Sequence, residues 1–410
     1  MTFFEELQWR GLIKDVAGDD IADKLNNERV TFYWGTDPTA DSLHLGHYSS
    51  LVTAKRLAKY GHHPILLCGG ATGLIGDPRP TAEREIITKE QLNHNLEGIK
   101  KQVMEIFHGE AEVVNNYDWF QGYEFTDVLR DIGKYITVNY MLDKDIIKRR
   151  LETGITFAEF AYMLIQGYDF LWLYENKNCI MQVEGSDQWG NITTGIDLIK
   201  KKLGIDAYAF TMPLVLDKYG NKFGKSEGNA LWLDEEKTSS YELYQYLINV
   251  DDDLVIDYLK IFTFLSVEEI QELEKKNKEQ PELREAHKAL AHEIIRDLHG
   301  EESYQEALKI SESLFSGDIK NFRSKDVEVA FKGIDSFTIT EDMNIVDLLV
   351  NSGVCSSKRE AREFVSNSSI TVNGDKITDL EFVLTRDACI ESKYIVIRRG
   401  KKKYYLGIYE

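Results

Sequence analysis

Cysteine is scarce in this chain: Cys68, Cys179, Cys355 and Cys389 lie far apart, with no Cys-x-x-Cys pair and no metal-ligand spacing. That pattern excludes a disulfide or zinc framework and leaves buried free thiols as the expectation. No apolar run reaches the roughly 18 residues that a membrane-spanning helix needs. The opening Met1-Thr-Phe-Phe-Glu-Glu-Leu lacks the basic region and apolar core of a secretory signal, so a cytoplasmic location is expected. Solenoid-like repeats and low-complexity tracts are also lacking. Positive charge runs short: 49 Lys/Arg against 69 Asp/Glu leave a net charge of -20, which argues against a general nucleic-acid binder. The deficit is uneven. Residues 344–410 carry eleven Lys/Arg and nine Asp/Glu, a net of +2, so the rest of the chain carries -22. An acidic body with a more basic tail repels nucleic acid in general yet admits it at local basic surfaces.

What is present is a folded chain of 410 residues, 43% hydrophobic and 29% charged. At roughly 100 to 200 residues per domain, it has room for two to four. Its first half alternates short apolar runs with helix-period segments, the pattern of a parallel sheet covered by helices. Val30-Thr-Phe-Tyr-Trp34 and Pro64-Ile-Leu-Leu-Cys68 predict buried strands, with others starting at Val113-Val114, at Ile180-Met-Gln-Val183 and over 210–216. Helices are predicted over 45–60, 88–107, 157–174 and 189–202. In the second of these, Leu92, Leu96, Ile99, Val103 and Ile106 keep a spacing of threes and fours. A helical insertion over 121–156, including 141–151, should stand outside the sheet. The fold class is thus α/β, a doubly wound, Rossmann-like parallel-sheet domain over 1–216. Residues 217–315 follow as a loop and a Glu/Lys/Leu-rich helical domain, 316–343 as a linker, and 344–410 as a small α+β module. That module has two short helices and an Asn373-Gly374 hairpin signal.

Three constellations carry chemistry. Trp34-Gly-Thr-Asp-Pro-Thr-Ala-Asp-Ser-Leu-His44-Leu-Gly46-His47 joins a strand end to a helix start, where an open α/β sheet binds anionic ligands. His44 and His47 present two imidazoles on one face, and Gly46 permits close approach of a nucleotide, although a lone pair at this spacing more often caps or packs a helix. Lys222-Phe-Gly-Lys225-Ser226 follows the turn Lys218-Tyr-Gly-Asn. Its two lysines and hydroxyl can close on a pyrophosphate and offset charge developing in phosphoryl transfer; standing alone, it reads equally as a solvated hairpin. Tyr162, Gln166 and Asp169, spaced by four and three, put three polar groups on one helical face.

The ordered pair His44-Leu-Gly-His47 and Lys222-Phe-Gly-Lys-Ser226 resembles the two signatures of class I aminoacyl-tRNA synthetases. The whole chain is similar to the bacterial tyrosyl-tRNA synthetase family. Further shared motifs are Tyr33 with Asp37-Pro-Thr-Ala-Asp-Ser-Leu43, Gly69-Gly-Ala-Thr-Gly-Leu-Ile-Gly-Asp77-Pro, Tyr162-Met-Leu-Ile-Gln166-Gly-Tyr-Asp169 and Gly185-Ser-Asp-Gln-Trp-Gly-Asn191. The resemblance implies that Tyr33 and Asp169 read the phenol of tyrosine, that Asp77, Tyr162 and Gln166 hold its ammonium group, and that Gln188 lies beside its carboxylate. It assigns Thr39, His44, Gly46 and His47 to ATP, Asp187 to the ribose, and Lys222, Lys225 and Ser226 to the pyrophosphate. Mg²⁺ is expected on the ATP phosphates, and no organic cofactor. The glycine-rich run 69–76 should let the backbone approach tyrosine or adenylate. Arg84 matches a transition-state arginine of the family, but no lysine precedes it in that loop; Arg79 is the only stand-in, and the two residue types are not interchangeable.

The tail resembles a small RNA-binding fold. Lys358, Arg359 and Arg362 sit on one short helix, and Arg398, Arg399 and Lys401 form a basic segment beside Tyr404 and Tyr405. Tyrosine tRNA, L-tyrosine and ATP are the expected partners, and the resemblance implies a homodimer. Rival readings are a tryptophanyl-tRNA synthetase, a small-molecule nucleotidylyltransferase with a His-x-Gly-His turn, and a non-catalytic RNA-binding relative.

Overall fold

The computed structural model describes residues 1–78, 87–226, 229–334, 336–400 and 403–410. They divide into two compact units, one of residues 1–238 with 246–298, the other of residues 239–245 with 299–410.

The first unit is built on a six-stranded sheet. Its strands are β1 (Val16–Ala17), β2 (Thr31–Thr36), β3 (His63–Cys68), β4 (Glu112–Asn115), β5 (Met181–Gly185) and β6 (Tyr208–Met212), in the order β1-β6-β5-β2-β3-β4. All neighbours are parallel except β1, which runs antiparallel to β6. The chain leaves β2 outward through β3 to β4 and returns on the other side as β5 and β6. Strand order therefore reverses between β2 and β5, and the crevice beyond their carboxyl ends is where such sheets bind ligands.

The predicted helices appear as Leu45–Lys59, Lys89–Ile106, Phe157–Lys177 and Trp189–Leu203. Thr88 and Thr156 start the second and third by accepting the amides of Gln91 and Glu159. The expected helix over 141–151 is instead two, Val138–Leu142 and Asp145–Leu151, parted by the extended backbone of Lys144. The last strand ends at Met212, short of the expected 216, because Pro213 has no N–H to give the ladder. Helices Phe3–Trp9 and Ile21–Asn27 and the two-residue β1 carry too little periodicity to be read beforehand. The insertion is tied to helix Phe157–Lys177 by a buried bidentate pair, Arg150 Nη1 to Glu159 Oε1 at 2.7 Å and Nη2 to Oε2 at 2.8 Å. Removing one partner would leave a buried charge, at a cost of about 3 to 5 kcal/mol. Helices Val255–Phe262, Val267–Glu279 and Glu285–His299 come from the helix-rich region.

In the second unit the stretch 316–343 is not the bare linker expected. It holds helix Ser324–Ala330 and strand Ser336–Ile339, which pairs in parallel with Lys403–Tyr409. The resulting sheet runs Asp375–Ile377, Ile370–Val372, Tyr394–Arg399, Lys403–Tyr409, Ser336–Ile339. The predicted hairpin is present. Asn373 and Gly374 both take positive φ (48° and 90°), as the tight turn between Val372 and Asp375 demands. The two short helices are Ile345–Asn351 and Lys358–Ser366. All four cysteines are free and buried.

Candidate active site

Two neighbouring strands and one helix supply the polar groups beside the switch point. Tyr33 on β2 lies in register with Gln182 on β5, and helix Phe157–Lys177 brings Tyr162, Gln166 and Asp169. The Tyr33 hydroxyl, Gln166 Oε1 and Gln182 Nε2 are buried with no hydrogen-bond partner within the protein. An unpaired buried polar atom is costly, so three at one crevice point to a polar ligand. Burial, followed by the nearby Asp169 carboxyl, holds the Tyr33 phenol well above its usual pKa.

Asp169 is 1% exposed. Its Oδ1 accepts from Trp119 Nε1 at 2.9 Å and its Oδ2 from Asn116 Nδ2 at 3.1 Å. Burial pushes its pKa up to about 8 against the pull of those two donors. Neither Asn116 nor Trp119 was among the predicted site residues; their positions lie in the run after β4, where no sequence pattern marks them.

Tyr162 donates to Asp37 Oδ2 at 2.8 Å, and Thr72 donates to Asp37 Oδ1 at 2.6 Å. Asp37 thus ties the β2 turn to the helix and to the glycine-rich run. A Cβ at Gly69 would lie 2.1 Å from Asp37 Oδ1, so that approach needs glycine. Asp77 accepts from Gln188 Nε2 at 2.9 Å and Asn191 Nδ2 at 3.1 Å, and Asn191 also donates to Gln188 Oε1 at 3.0 Å. Asp37 and Asn191 stand inside the shared motifs, yet only the fold gives them their roles as tethers. Glu184 on β5 is a further unforeseen carboxyl. Its Oε1 accepts the Gly35 amide at 2.5 Å, and burial, with Asp187 and Asp37 nearby, holds its pKa well above the usual range.

The histidine turn is locally determined. His44 caps helix Leu45–Lys59, its Nδ1 accepting from Gly46 N at 3.1 Å, while His47 Nδ1 accepts from His44 N at 3.3 Å. The rings stack at 3.8 Å between centroids. With Nδ1 accepting, each neutral imidazole carries its proton on Nε2, the edge that can donate to a phosphate. The second signature joins this turn: Leu45 donates to Leu231 O at 2.7 Å and Leu231 to Gly224 O at 2.9 Å. Lys222 Nζ stands 3.8 Å from Asp187 Oδ2, both largely exposed. Thr39 is exposed in the β2 turn, its amide donating to Asp37 O at 2.8 Å. Arg79 and Arg84 lie outside the described residues, as do the side chains of Lys225 and Ser226.

In the second unit Arg359 and Arg362 are exposed, and Lys358, also exposed, pairs with Asp347 at 2.5 Å. Arg399 is engaged internally, since Nη1 donates to Val354 O and its guanidinium lies over the rings of Phe364 (5.4 Å) and Tyr405 (5.8 Å). Arg398 is partly buried with its guanidinium against Gly317. Lys401 lies outside the described residues.

Comparison with known proteins shows the family. The family described as tRNA synthetases class I (W and Y) matches residues 25–316, and the Tyrosine--tRNA ligase SYY-like C-terminal domain matches residues 326–407. The tyrosine–tRNA ligase of Streptococcus gordonii is 48% identical over 418 residues, covering 100% of both chains. That of Geobacillus stearothermophilus is 49% identical over 415 residues, covering 99% of both. Among solved structures, a C-terminally truncated mitochondrial tyrosyl-tRNA synthetase of Aspergillus nidulans superposes with a TM-score of 0.68 at 33% identity, covering 77% of this chain and 94% of its own. The family match over residues 25–316 and near-half identity along the full length make this chain a member of the class I tRNA synthetases for tryptophan and tyrosine, in their bacterial tyrosine–tRNA ligase branch.

Proposed function

We propose that the crevice between β2 and β5 activates L-tyrosine with ATP and that the enzyme then charges tyrosine tRNA. The observation that carries this is the Tyr33 hydroxyl, buried and unpartnered in the field of Asp169. A phenol entering there meets one donor and one acceptor, whereas phenylalanine would leave both unpaired; tyrosyl-tRNA synthetases are themselves the established example of this kind of discrimination. Tyr162, Gln166 and Asp77 then take the ammonium group, with Asp37 holding the Tyr162 hydroxyl in place. Gln188, held by Asp77, lies beside the carboxylate.

The tyrosine carboxylate oxygen attacks the α-phosphorus of ATP, and the bond to pyrophosphate breaks. No protein nucleophile is needed, so positioning and charge stabilisation carry the step. The Nε2 edges of His44 and His47 face the phosphates with Thr39 and Gly46, Asp187 takes the ribose, and Lys222, Lys225 and Ser226 take the departing pyrophosphate with Arg84. Mg²⁺ travels with the ATP phosphates and offsets their charge; among the described residues no group of three or more His, Cys, Asp or Glu is placed to hold an ion. In the second step a terminal ribose hydroxyl of the tRNA attacks the adenylate carbonyl and AMP leaves.

Exposed Lys358, Arg359 and Arg362 supply phosphate contacts for the tRNA, together with Lys401 and with Arg398 and Arg399 on strand Tyr394–Arg399. Arg399 serves chiefly by supporting that surface. We assign the homodimer contact to the insertion and the start of the helix after it, where Phe125 (63%), Leu129 (48%), Val138 (59%), Leu151 (52%) and Phe157 (65%) are exposed. That much apolar side chain in one segment fits an isologous second copy. Among the described residues no helix is long and apolar enough to cross a membrane, and we place the enzyme in the cytoplasm. Pyrophosphate exchange with each amino acid tests the reading. Tyrosine alone should support it; exchange with tryptophan, or with no amino acid, would overturn it in favour of a tryptophan enzyme or a non-catalytic relative.

A further inference from the structure

The first half of the second signature is clamped from several sides. Phe223 is 2% exposed, and its ring sits among those of Tyr246, Tyr258 and Phe262, at 5.4, 4.6 and 4.7 Å between centroids. Its amide donates to Val215 O at 2.9 Å, and Lys222 bridges Leu216, whose carbonyl accepts the Tyr258 hydroxyl at 2.9 Å. Gly224 has φ +84°, and a Cβ there would lie 2.6 Å from Leu45 Cβ, so the loop backbone rests directly on the histidine turn. One side-chain polar group completes the clamp: the Gly224 amide donates to the Tyr246 hydroxyl at 2.9 Å.

We propose that Tyr246 is a positioning residue for adenylate formation, its hydroxyl fixing Gly224 on the histidine turn and so setting where the signature lysines meet the nucleotide. This rests on the assignment of Lys222 and Lys225 to pyrophosphate. Lys222 is a flexible side chain more than half exposed, so its placement beside Asp187 depends on the backbone beneath it. Main-chain hydrogen bonds hold Phe223 N and Gly224 O, and aromatic packing, which tolerates sliding, holds the Phe223 ring; the Gly224 amide is fixed by a directional bond to the Tyr246 hydroxyl, which does not tolerate it. The Gly224 amide is in a buried residue, so without the hydroxyl it has every reason to move toward another acceptor. A group that acts on charge appearing only in the transition state loses most when misplaced slightly.

Tyr246→Phe tests this, since the ring and its contact with Phe223 are kept while the acceptor is removed. Single-turnover kinetics should show adenylate formation at saturating ATP slowed on the order of tenfold. The dissociation constants for ATP and tyrosine should stay within about twofold, because ground-state contacts are untouched. An unchanged or faster rate, with or without a lower melting temperature, would reduce Tyr246 to a structural role and overturn the proposal. So would ATP binding weakened as much as the rate. Wild-type enzyme is run alongside: failure of the wild type to form tyrosyl-adenylate would overturn the function assigned to the site, whereas a variant effect of the wrong kind in an active enzyme would overturn only the role of Tyr246.

Discussion

Replacing Asp169 by Asn should make the folded chain more resistant to alkali while damaging its use of tyrosine. Burial raises the folded-state pKa of Asp169 from 3.8 to about 8, so the native chain keeps a proton that the unfolded chain gives up. The stability this lends is fully present below the unfolded value and is lost as pH climbs through the folded one. Between pH 5.5 and 8.5 the unfolded carboxyl is ionised throughout, while the folded one passes from protonated to mostly ionised. At about 1.4 kcal/mol per pKa unit, wild type loses about 3 kcal/mol over that interval from this one residue. The Asn variant loses none of it. Asn carries one acceptor oxygen where Asn116 and Trp119 offer two donors, so one donor is orphaned at about 1 to 3 kcal/mol. That cost does not depend on pH and cancels in the difference. Urea unfolding of both proteins at the two pH values, at equal ionic strength, should show the stability of the variant relative to wild type rising by about 3 kcal/mol. A rise below about 1 kcal/mol would refute a buried, proton-holding Asp169. The same variant should lose roughly 10- to 100-fold in kcat/KM for tyrosine in pyrophosphate exchange, as the carboxyl that meets the phenol is replaced by an amide.

Lys222→Ala should slow adenylate formation far more than it weakens ground-state ATP binding, measured by pre-steady-state fluorescence; equal losses would mean uniform binding. Arg359→Ala with Arg362→Ala should weaken tRNA charging, and lower its salt dependence by about one unit of slope for each phosphate no longer neutralised, with pyrophosphate exchange preserved; loss of exchange instead would contradict the division of labour. Phe157→Asp, at a position 65% exposed, should shift sedimentation from dimer to monomer without lowering the melting temperature by more than a few degrees; an unchanged dimer would move the interface elsewhere.

The sequence alone determined whatever is contiguous. Strands β2 and β3 and helices Leu45–Lys59 and Lys89–Ile106 were legible because apolar runs and a period of 3.6 are local properties. The histidine turn was legible for the same reason, its two capping hydrogen bonds spanning two and three residues. Tertiary structure alone decided which distant groups share a volume. Tyr162 reaches Asp37 across 125 positions, Asn191 reaches Asp77 across 114, and Asn116 and Trp119 reach Asp169 across about 50. No periodicity encodes those meetings; they follow from the reversal of strand order between β2 and β5, which folds three separate segments over one crevice. The same holds for strand Ser336–Ile339, which looked like linker because a four-residue strand acquires its identity from the partner Leu406–Tyr409 it pairs with. Burial, likewise a property of the assembled fold, is what lifts the Asp169 pKa and leaves the Tyr33 hydroxyl without a partner inside the protein.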